Sequence, residues 1–319
     1  MRGIIIVKLK TRIGKILRRI NRRPASPPKL EFRSFSIFSE FSDQSNIADE
    51  VRHRAMEAAL ANGRQGFLVP GICYPCRQHT KFWVDYAFSY LVDEKPQINW
   101  RSRLTCQRCS FNSRLRATLQ TIDEICQPDR NADIYITEQT TSLFKYLKNK
   151  FPNAVGSEFL GDKLAWGAQT KDGIRNETLT RLTFPDSSFD LLLSFDVLEH
   201  IPDYKAAVSE IYRTLKPGGT VLFSVPFTGN QVQTLIRATI SPDGTITHLT
   251  EPEYHGDPMS SDGILCFQTF GWDLLDDLRN AGFADARVGF YWDERLGYLG
   301  DNNSFFIATK PLMPAATAN

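Results

Sequence analysis

Short apolar segments alternate with amphipathic helical segments through the second half of the chain. Segments with the length and composition of buried strands lie at 132–138, 153–157, 177–179, 189–196, 219–226, 284–292 and 304–310. Helical patterns lie near 141–150, 204–215 and 271–281. Such an alternation predicts an α/β fold built on a doubly wound, mainly parallel sheet.

The first third of the chain has a different pattern. Within residues 4–20, Ile and Leu recur every three or four positions with Lys and Arg between them, which predicts a basic amphipathic helix. We interpret 1–30 as a basic amphipathic tail and 31–65 as a linker followed by a helix. The tail predicts a peripheral contact with an anionic membrane through residues 1–23, and a solvated tail explains the same pattern equally well.

Charge narrows the choice of partner. The whole chain carries a formal charge of +2, but residues 1–33 hold eleven Lys or Arg and one acid, which leaves a net charge of −8 for the rest. A negatively charged body disfavours nucleic acid as a partner. Apolar runs long enough for a membrane span or a secretory signal are not found, so we expect a cytoplasmic protein, with a peripheral position at the inner membrane surface if the tail binds lipid.

Four of the six cysteines form two C-x2-C pairs, Cys73 with Cys76 and Cys106 with Cys109, separated by 29 residues. Each pair can present two thiolates from one tight turn, and four thiolates complete the tetrahedral coordination that Zn²⁺ prefers. We predict a structural zinc in a small zinc-ribbon-like module at 66–116, termed the cysteine module. Four buried free thiols, or a redox role for one pair, are the alternatives. Cys126 and Cys266 are interpreted as apolar fillers.

The most informative stretch runs from 182 to 226. It contains LTFPDSSFD, then DVLEHI at 196–201, then LKPGG at 215–219 before another strand. These motifs strongly resemble the type 11 methyltransferase family, and a weaker match extends over about 132–310. The resemblance implies a class I, Rossmann-like methyltransferase fold over 117–319 and S-adenosylmethionine as the cofactor. It further implies seven strands, with 304–310 inserted antiparallel beside 284–292, and a turn at Lys216–Gly219.

The resemblance also implies a cofactor site beyond the carboxyl ends of the strands. Glu158 stands where the family holds the ribose hydroxyls, and Glu177 or Thr178 stands at the adenine position. In place of the family's glycine-rich loop the chain has ITEQTTS at 136–142, where Glu138 and Gln139 are candidates to bind the amino-acid end. The crevice itself is expected to be lined by Asp196, Val197 and Leu198.

Residues 227–263 are interpreted as a lid insertion that contacts the acceptor. His255, with acids around it, is the candidate catalytic base, and a histidine that only forms hydrogen bonds is the alternative. We expect methyl transfer to a small-molecule or carbohydrate-type acceptor, including a glycan. A catalytically silent binding module, a membrane-docked scaffold and a ribosomal RNA methyltransferase are the competing hypotheses, and the sequence makes no prediction of oligomeric state.

Overall fold

The computed structural model describes residues 30–34, 36, 50–61, 63, 65–227, 229–257, 260–301 and 303–312. The segment 1–23, for which a membrane contact is predicted, lies outside the described residues. Among the described residues, no helix combines the length and the apolar character that a membrane crossing requires.

Eighteen strands and five α-helices follow one another along the described part of the chain. The strands are β1 (Leu30–Phe32), β2 (Gly66–Cys73), β3 (Gln78–Asp85), β4 (Tyr90–Val92), β5 (Lys95–Gln97), β6 (Thr105–Cys106), β7 (Ile134–Ile136), β8 (Val155–Gly156), β9 (Phe189–Phe195), β10 (Leu215–Ser224), β11 (Leu235–Ile236), β12 (Ala238–Ile240), β13 (Ile246–His248), β14 (Tyr254–Asp257), β15 (Ser260–Leu265), β16 (Gln268–Thr269), β17 (Asp285–Phe290) and β18 (Ser304–Thr309). The helices are α1 (50–61), α2 (Ser113–Thr121), α3 (Ser142–Lys150), α4 (Tyr204–Thr214) and α5 (Leu274–Asn280). A π-turn at Ile122–Cys126 extends α2, and 3-10 turns lie at Gly161–Lys163 and Leu198–His200.

The central sheet has seven strands in the order β1-β17-β18-β10-β9-β7-β8. Strands β10, β9, β7 and β8 are parallel, whereas β18 lies antiparallel between β10 and β17. The predicted α/β fold with seven strands and an antiparallel last strand is confirmed.

The seventh strand is not the predicted one. Residues 177–179 form no strand, and the parallel pairing there is a single bridge between Glu158 and Asn176. The buried Asn176 side chain explains the difference, because its amide donates to the carbonyls of Gly161 and Leu164 at 2.9 and 2.6 Å and so orders a loop instead of a ladder. The sheet instead gains β1, which pairs antiparallel with β17, so the segment predicted as the end of the tail and the start of the linker contains an edge strand.

The predicted turn at Lys216–Gly219 is also wrong, because these residues lie inside β10 as an irregularity. The register against β9 shifts between Leu215 and Thr220, and Gly218 adopts φ +79°. Lys216 Nζ binds Asp133 and Asp190 at 2.7 and 2.9 Å, which fixes the bulge against the starts of two neighbouring strands.

Helices cover both faces of the sheet. On one face, Val208 and Ile211 of α4 and Leu278 of α5 pack into one buried cluster with β9 and β10. On the other, α2 and α3 contribute to a second cluster through Leu119, Leu143 and Leu147. The Asp203 side chain caps α4 by accepting from the Ala206 amide at 3.0 Å. The architecture is therefore doubly wound.

The cysteine module packs against the end of the chain. Its three-stranded sheet β2-β3-β6 contributes to a third buried cluster around Phe82 and Leu104, which includes Leu299, and the hairpin β4-β5 is exposed. The Ile72 amide donates to the carbonyl of Arg295 at 2.7 Å. Between β10 and α5, the insertion forms three small antiparallel pairs, β11-β16, β12-β13 and β14-β15.

Candidate functional site

The parallel strands β7, β8 and β9 end at one edge of the sheet, termed the carboxyl edge. Glu138, Glu158 and Asp196 each follow one of these strands within three residues. Because open α/β sheets bind ligands outside the carboxyl ends of their strands, this edge is the candidate cofactor site.

Glu158 is held by the loop that lacks glycines. Its Oε1 accepts hydrogen bonds from the amides of Gln139 and Thr140 and from the Thr140 hydroxyl, each at 2.8 Å. Within the described part of the chain, Oε2 accepts no hydrogen bond. One oxygen therefore orders the loop, and the other is left for a ligand hydroxyl, which is a partial fit to the predicted role with the ribose.

Gln139 forms a second set of hydrogen bonds that hold this loop in place. The Gln139 side chain donates to the carbonyl of Gly173 and accepts from the amide of Arg175, both at 2.8 Å. Burial raises the pKa of the neighbouring Glu138 carboxyl. A side chain at Gly156 would lie 2.6 Å from the Glu138 carbonyl, so this glycine lets the loop approach β8.

Glu177 and Thr178, the adenine candidates, make contacts within their own loop. Glu177 is 3% exposed; its Oε1 accepts from Arg175 Nε at 2.7 Å and its Oε2 from the Thr183 amide at 3.0 Å. The Thr178 hydroxyl lies 3.0 Å from that of Thr180. The Glu177 carboxylate therefore orders the segment after β8, and the adenine role of both residues stays a prediction.

Asp196 is the centre of a charged cluster. Arg101 donates from two nitrogens to its two oxygens at 3.0 and 2.7 Å, Arg114 lies 3.2 Å away, and Ser224 donates at 2.7 Å. Burial alone would raise the pKa of Asp196. The positive charges of the two arginines have the larger effect and hold that pKa well below its usual range. Of its neighbours, Val197 is half-buried and Leu198 is buried in the core.

Arg101 and Arg114 could not be identified from the sequence. They lie 95 and 82 positions before Asp196, both within the cysteine module, and carry no motif. Their pairing joins the cysteine module to the carboxyl edge.

The four predicted metal ligands are brought together. The Sγ atoms of Cys73, Cys76, Cys106 and Cys109 all lie within 4.8 Å of one another. Two tight turns present them: the Arg77 amide donates to the Tyr74 carbonyl at 3.1 Å, and the Ser110 amide to the Cys106 carbonyl at 2.9 Å. The donor set and its compact arrangement fit a tetrahedral zinc ion.

A buried cation lies beside this cluster. Arg116 is fully buried, donates to the carbonyls of Leu104 and Gly297 at 3.0 and 2.9 Å, and stacks over the Phe82 ring at 3.8 Å. In the described part of the chain it pairs with no carboxylate; burial lowers its pKa, and interactions with Tyr298 and with Cys73, Cys106 and Cys109 oppose that effect. A zinc tetrathiolate, with net charge −2, would compensate the charge of Arg116.

His255, the candidate base, lies on β14 between two carboxylates. Its Nε2 is 3.1 Å from Glu253 Oε1, and its Nδ1 is 3.6 Å from Glu199 Oε1. Contacts with Cys266 and with Glu199 raise the pKa of His255 to about 11. A raised pKa opposes the loss of the proton that a base needs, and the catalytic role of His255 stays a prediction.

The central part of the chain is similar to known proteins. Residues 116–223 match the family model of a methyltransferase domain. A Mycolicibacterium smegmatis protein described as a probable S-adenosylmethionine-dependent methyltransferase is 36% identical over 121 residues, which cover 36% of this chain and 43% of that protein. Phosphoethanolamine N-methyltransferase 2 of Caenorhabditis elegans is 50% identical over 156 residues, covering 40% and 34% respectively.

The chain thus spans less than half the length of these two relatives. A crystal structure of an S-adenosylmethionine-dependent methyltransferase from Mesorhizobium loti is 20% identical, covers 61% of this chain and 94% of that one, and superposes with a TM-score of 0.37. Residues 116–223 of this chain are therefore similar to a methyltransferase domain, and the matching Mycolicibacterium smegmatis relative is described as one that probably depends on S-adenosylmethionine.

Proposed function

We propose that the protein transfers a methyl group from S-adenosylmethionine to a small-molecule or carbohydrate-type acceptor. The observation that carries this proposal is Glu158, which follows β8 at the carboxyl edge of a family-matched domain with one carboxylate oxygen available to a ligand. The cofactor, when bound, supplies a methyl group on a positively charged sulfur. The protein's task is then to hold the acceptor in line with that methyl group.

The chain's own residues divide the binding task. In this proposal Glu158 holds the ribose, the loop at Glu138 and Gln139 binds the amino-acid end, and Glu177 with Thr178 faces the adenine. Asp196, Val197 and Leu198 form the wall between cofactor and acceptor. His255 can accept the acceptor's proton only when one of its ring nitrogens is unprotonated and no longer in contact with Glu199 or Glu253.

A small acceptor is supported by charge and by the relatives. The body of the protein carries −8, which opposes contact with a phosphate backbone and argues against the ribosomal RNA alternative. The names of relatives specify phosphoethanolamine and sterols as acceptors. The insertion places three small strand pairs between β10 and α5, where they can cover a small acceptor, and glycans remain within the proposed class.

The silent binding module is the second candidate, and one observation favours it. The loop after β7 uses its amides to bind Glu158 Oε1, so part of the expected ribose site is occupied by the protein itself. Titration calorimetry with S-adenosylhomocysteine and a methyl-transfer assay with radiolabelled cofactor separate the two. Binding with turnover supports the enzyme, whereas no heat at millimolar ligand on a folded sample, or binding without turnover over a panel of small acceptors, contradicts the enzyme and supports the silent module.

We also propose that Cys73, Cys76, Cys106 and Cys109 hold one structural zinc. In this proposal residues 66–116 form a module distinct from the domain at 117–319.

We further propose that the protein acts in the cytoplasm with its basic tail at a membrane surface. Vesicle flotation with and without anionic lipid, at low and high salt, tests the membrane contact of the tail. Salt-sensitive binding that is lost on deletion of residues 1–23 is the expected result, and equal binding to neutral vesicles contradicts it.

The zinc proposal has its own test. Purified protein should retain zinc in the four-cysteine site, and Cys106→Ser should lose it and destabilise the cysteine module, because a buried set of thiolates needs the ion's charge. Cys126→Ser, which changes a cysteine outside this set, is the matched control. Zinc content that is equal in Cys106→Ser and Cys126→Ser would contradict the site.

A further inference from the structure

A second group of metal-binding side chains lies at the carboxyl edge, away from the four cysteines. One donor atom from each of His200, His255 and Cys266 lies within 4.8 Å of the others. Glu199 lies against them, with its Oε1 3.8 Å from His200 Nε2 and 3.6 Å from His255 Nδ1. The four residues, termed the histidine cluster, come from the turn after β9 and from the insertion.

Glu199 is the unusual member of the histidine cluster. Its side chain is fully buried, and neither carboxylate oxygen has a hydrogen-bond partner in the described part of the chain. Burial raises its pKa. A buried carboxylate without a partner costs several kcal/mol, and a bound cation would compensate its charge.

Both imidazole rings place one ring nitrogen toward Glu199. His200 Nδ1 lies 2.9 Å from the carbonyl oxygen of Leu265, which can only accept, so this nitrogen carries the proton and Nε2 faces Glu199. His255 Nε2 is 3.1 Å from the Glu253 carboxylate, which leaves Nδ1 to face Glu199. Metal-binding histidines typically donate their second ring N–H to a carbonyl or a carboxylate in this way.

The separations suit a shared ion. Bonds of about 2.0–2.3 Å to N, O and S place the ligand atoms of a tetrahedral ion about 3.3–3.8 Å apart, and the two Glu199 contacts fall in that range. Cys266 is buried, and its Sγ lies 3.9 Å from His200 Nδ1, the ring nitrogen that faces the Leu265 carbonyl and not the Nε2 that faces Glu199. Cys266 is thus placed beside donor atoms, and the interpretation of this residue as an apolar filler is incomplete.

We propose that Glu199, His200, His255 and Cys266 bind a divalent transition-metal ion, with Zn²⁺ as the best match to two imidazoles, a carboxylate and a thiolate. This ion is additional to the one proposed for the four cysteines. Its ligands join the turn at Leu198–His200 to β14 and to the residue after β15, so the ion links the insertion to the carboxyl edge. The backbone already aligns these parts, because the Phe267 amide donates to the Glu199 carbonyl at 2.8 Å.

Metal content of the whole purified chain tests the proposal without reference to activity. After incubation with Zn²⁺ and gel filtration, wild type should hold two zinc ions per chain, whereas His200→Ala and Glu199→Gln should each hold one. His248→Ala changes an exposed histidine of the same insertion, and Cys126→Ser changes a cysteine outside both sets; both controls should hold two. A wild-type stoichiometry of one that is unchanged by His200→Ala and lost in Cys106→Ser would overturn the histidine cluster as a site.

A variant outside the coordination sphere tests whether a loss of metal binding results from misfolding. Glu253 orients His255, and its side chain is 42% exposed, so Glu253→Gln should leave the fold intact. Loss of such an orienting carboxylate should weaken metal affinity by about 10–100-fold. Co²⁺ titration of protein whose four-cysteine site is filled with zinc gives the readout, as visible absorption of a four-coordinate ion. Equal Co²⁺ affinity in wild type and Glu253→Gln, or the absence of that absorption in wild type, would contradict the proposal.

Failure of this site and failure of the proposed methyl transfer are separate results. Zinc stoichiometry and Co²⁺ absorption report on the histidine cluster in the absence of S-adenosylmethionine and of any acceptor. Hydrogen exchange adds a positional readout, since the bound ion should slow exchange in the β14-β15 hairpin and leave the exposed β4-β5 hairpin unchanged. An equal effect on both hairpins would show nonspecific binding and would count against the site.

Discussion

Arg101 lies in the cysteine module and donates two hydrogen bonds to Asp196, the residue that follows the central strand β9. The two residues are 95 positions apart, and their side chains are about one quarter exposed. The Arg101 guanidinium also donates to the Ser224 hydroxyl at 3.2 Å, so it reaches the ends of both β9 and β10. The pair therefore fixes the cysteine module against the strand ends that form the crevice.

Arg101→Ala should lower the free energy of unfolding by about 1–3 kcal/mol, because Asp196 keeps Arg114 and Ser224 but loses a bidentate partner. Urea denaturation followed by circular dichroism measures the change. The matched control is Arg295→Ala, which removes an arginine that is 61% exposed and lies 3.5 Å from Asp293, and it should cost less than about 1 kcal/mol. Equal losses in the two variants would contradict the role given to Arg101.

The same cluster predicts a pH dependence of stability. Because the pKa of Asp196 is lower in the folded protein than in the unfolded chain, its contribution is fully present above the unfolded value of about 4. The contribution is lost as the pH falls below that value towards the folded pKa. The stability difference between wild type and Asp196→Asn should be constant from pH 6 to 8 and should shrink below about pH 4. A difference that grows on acidification would show that Asp196 is not stabilised as a carboxylate.

Strand β1 should contribute to stability although its sequence is only three residues long. Phe32 is 5% exposed and contacts the Phe290 ring edge-on at 6.0 Å, and Glu31 binds Arg287 Nε at 2.9 Å. Phe32→Ala should therefore cost about 3 kcal/mol. Leu91→Ala, at a position that is 71% exposed, is the control and should cost little.

Truncation gives an independent measurement of the same strand. Deleting residues 1–29 leaves β1 paired with β17, so the melting temperature should stay close to that of the full chain. Deleting residues 1–33 removes β1 and leaves β17 as an open sheet edge, which should lower the melting temperature and promote aggregation. Equal melting temperatures for the two truncations would contradict the structural role of β1.

The sequence predicted the elements that have strong local patterns. Phe189–Phe195 has five apolar residues among seven, and the spacing of Ala207, Val208 and Ile211 gives α4 a single buried face, so the sequence predicts both elements. The four cysteines were grouped correctly because a C-x2-C pair is itself a local geometric signal.

Features that depend on distant residues were not predicted. Residues 30–32 carry too few positions for any periodicity, and they become a strand only because β17 offers a free edge. Arg101 and Arg114 lie 95 and 82 residues before Asp196, and His255 lies 56 residues after Glu199; no sequence pattern indicates contact over such separations. Glu199 and His200 stood inside a recognised motif, but their relation to Cys266 depends on how the insertion folds back.

Glu158 provides the sharpest test of the cofactor site. Glu158→Ala removes the oxygen available to the ribose and the oxygen that orders the loop, so S-adenosylhomocysteine affinity should fall at least about tenfold, as expected for the loss of a charge-assisted hydrogen bond. Thr140→Val removes only one of the three hydrogen bonds to Oε1 and should change affinity by less than about threefold. This variant measures how much of the affinity depends on the order of the loop. Calorimetric titration of both variants, with thermal melting to verify folding, makes the comparison. If Thr140→Val weakens binding as much as Glu158→Ala does, Glu158 acts by ordering the loop, and its proposed contact with the ribose is wrong.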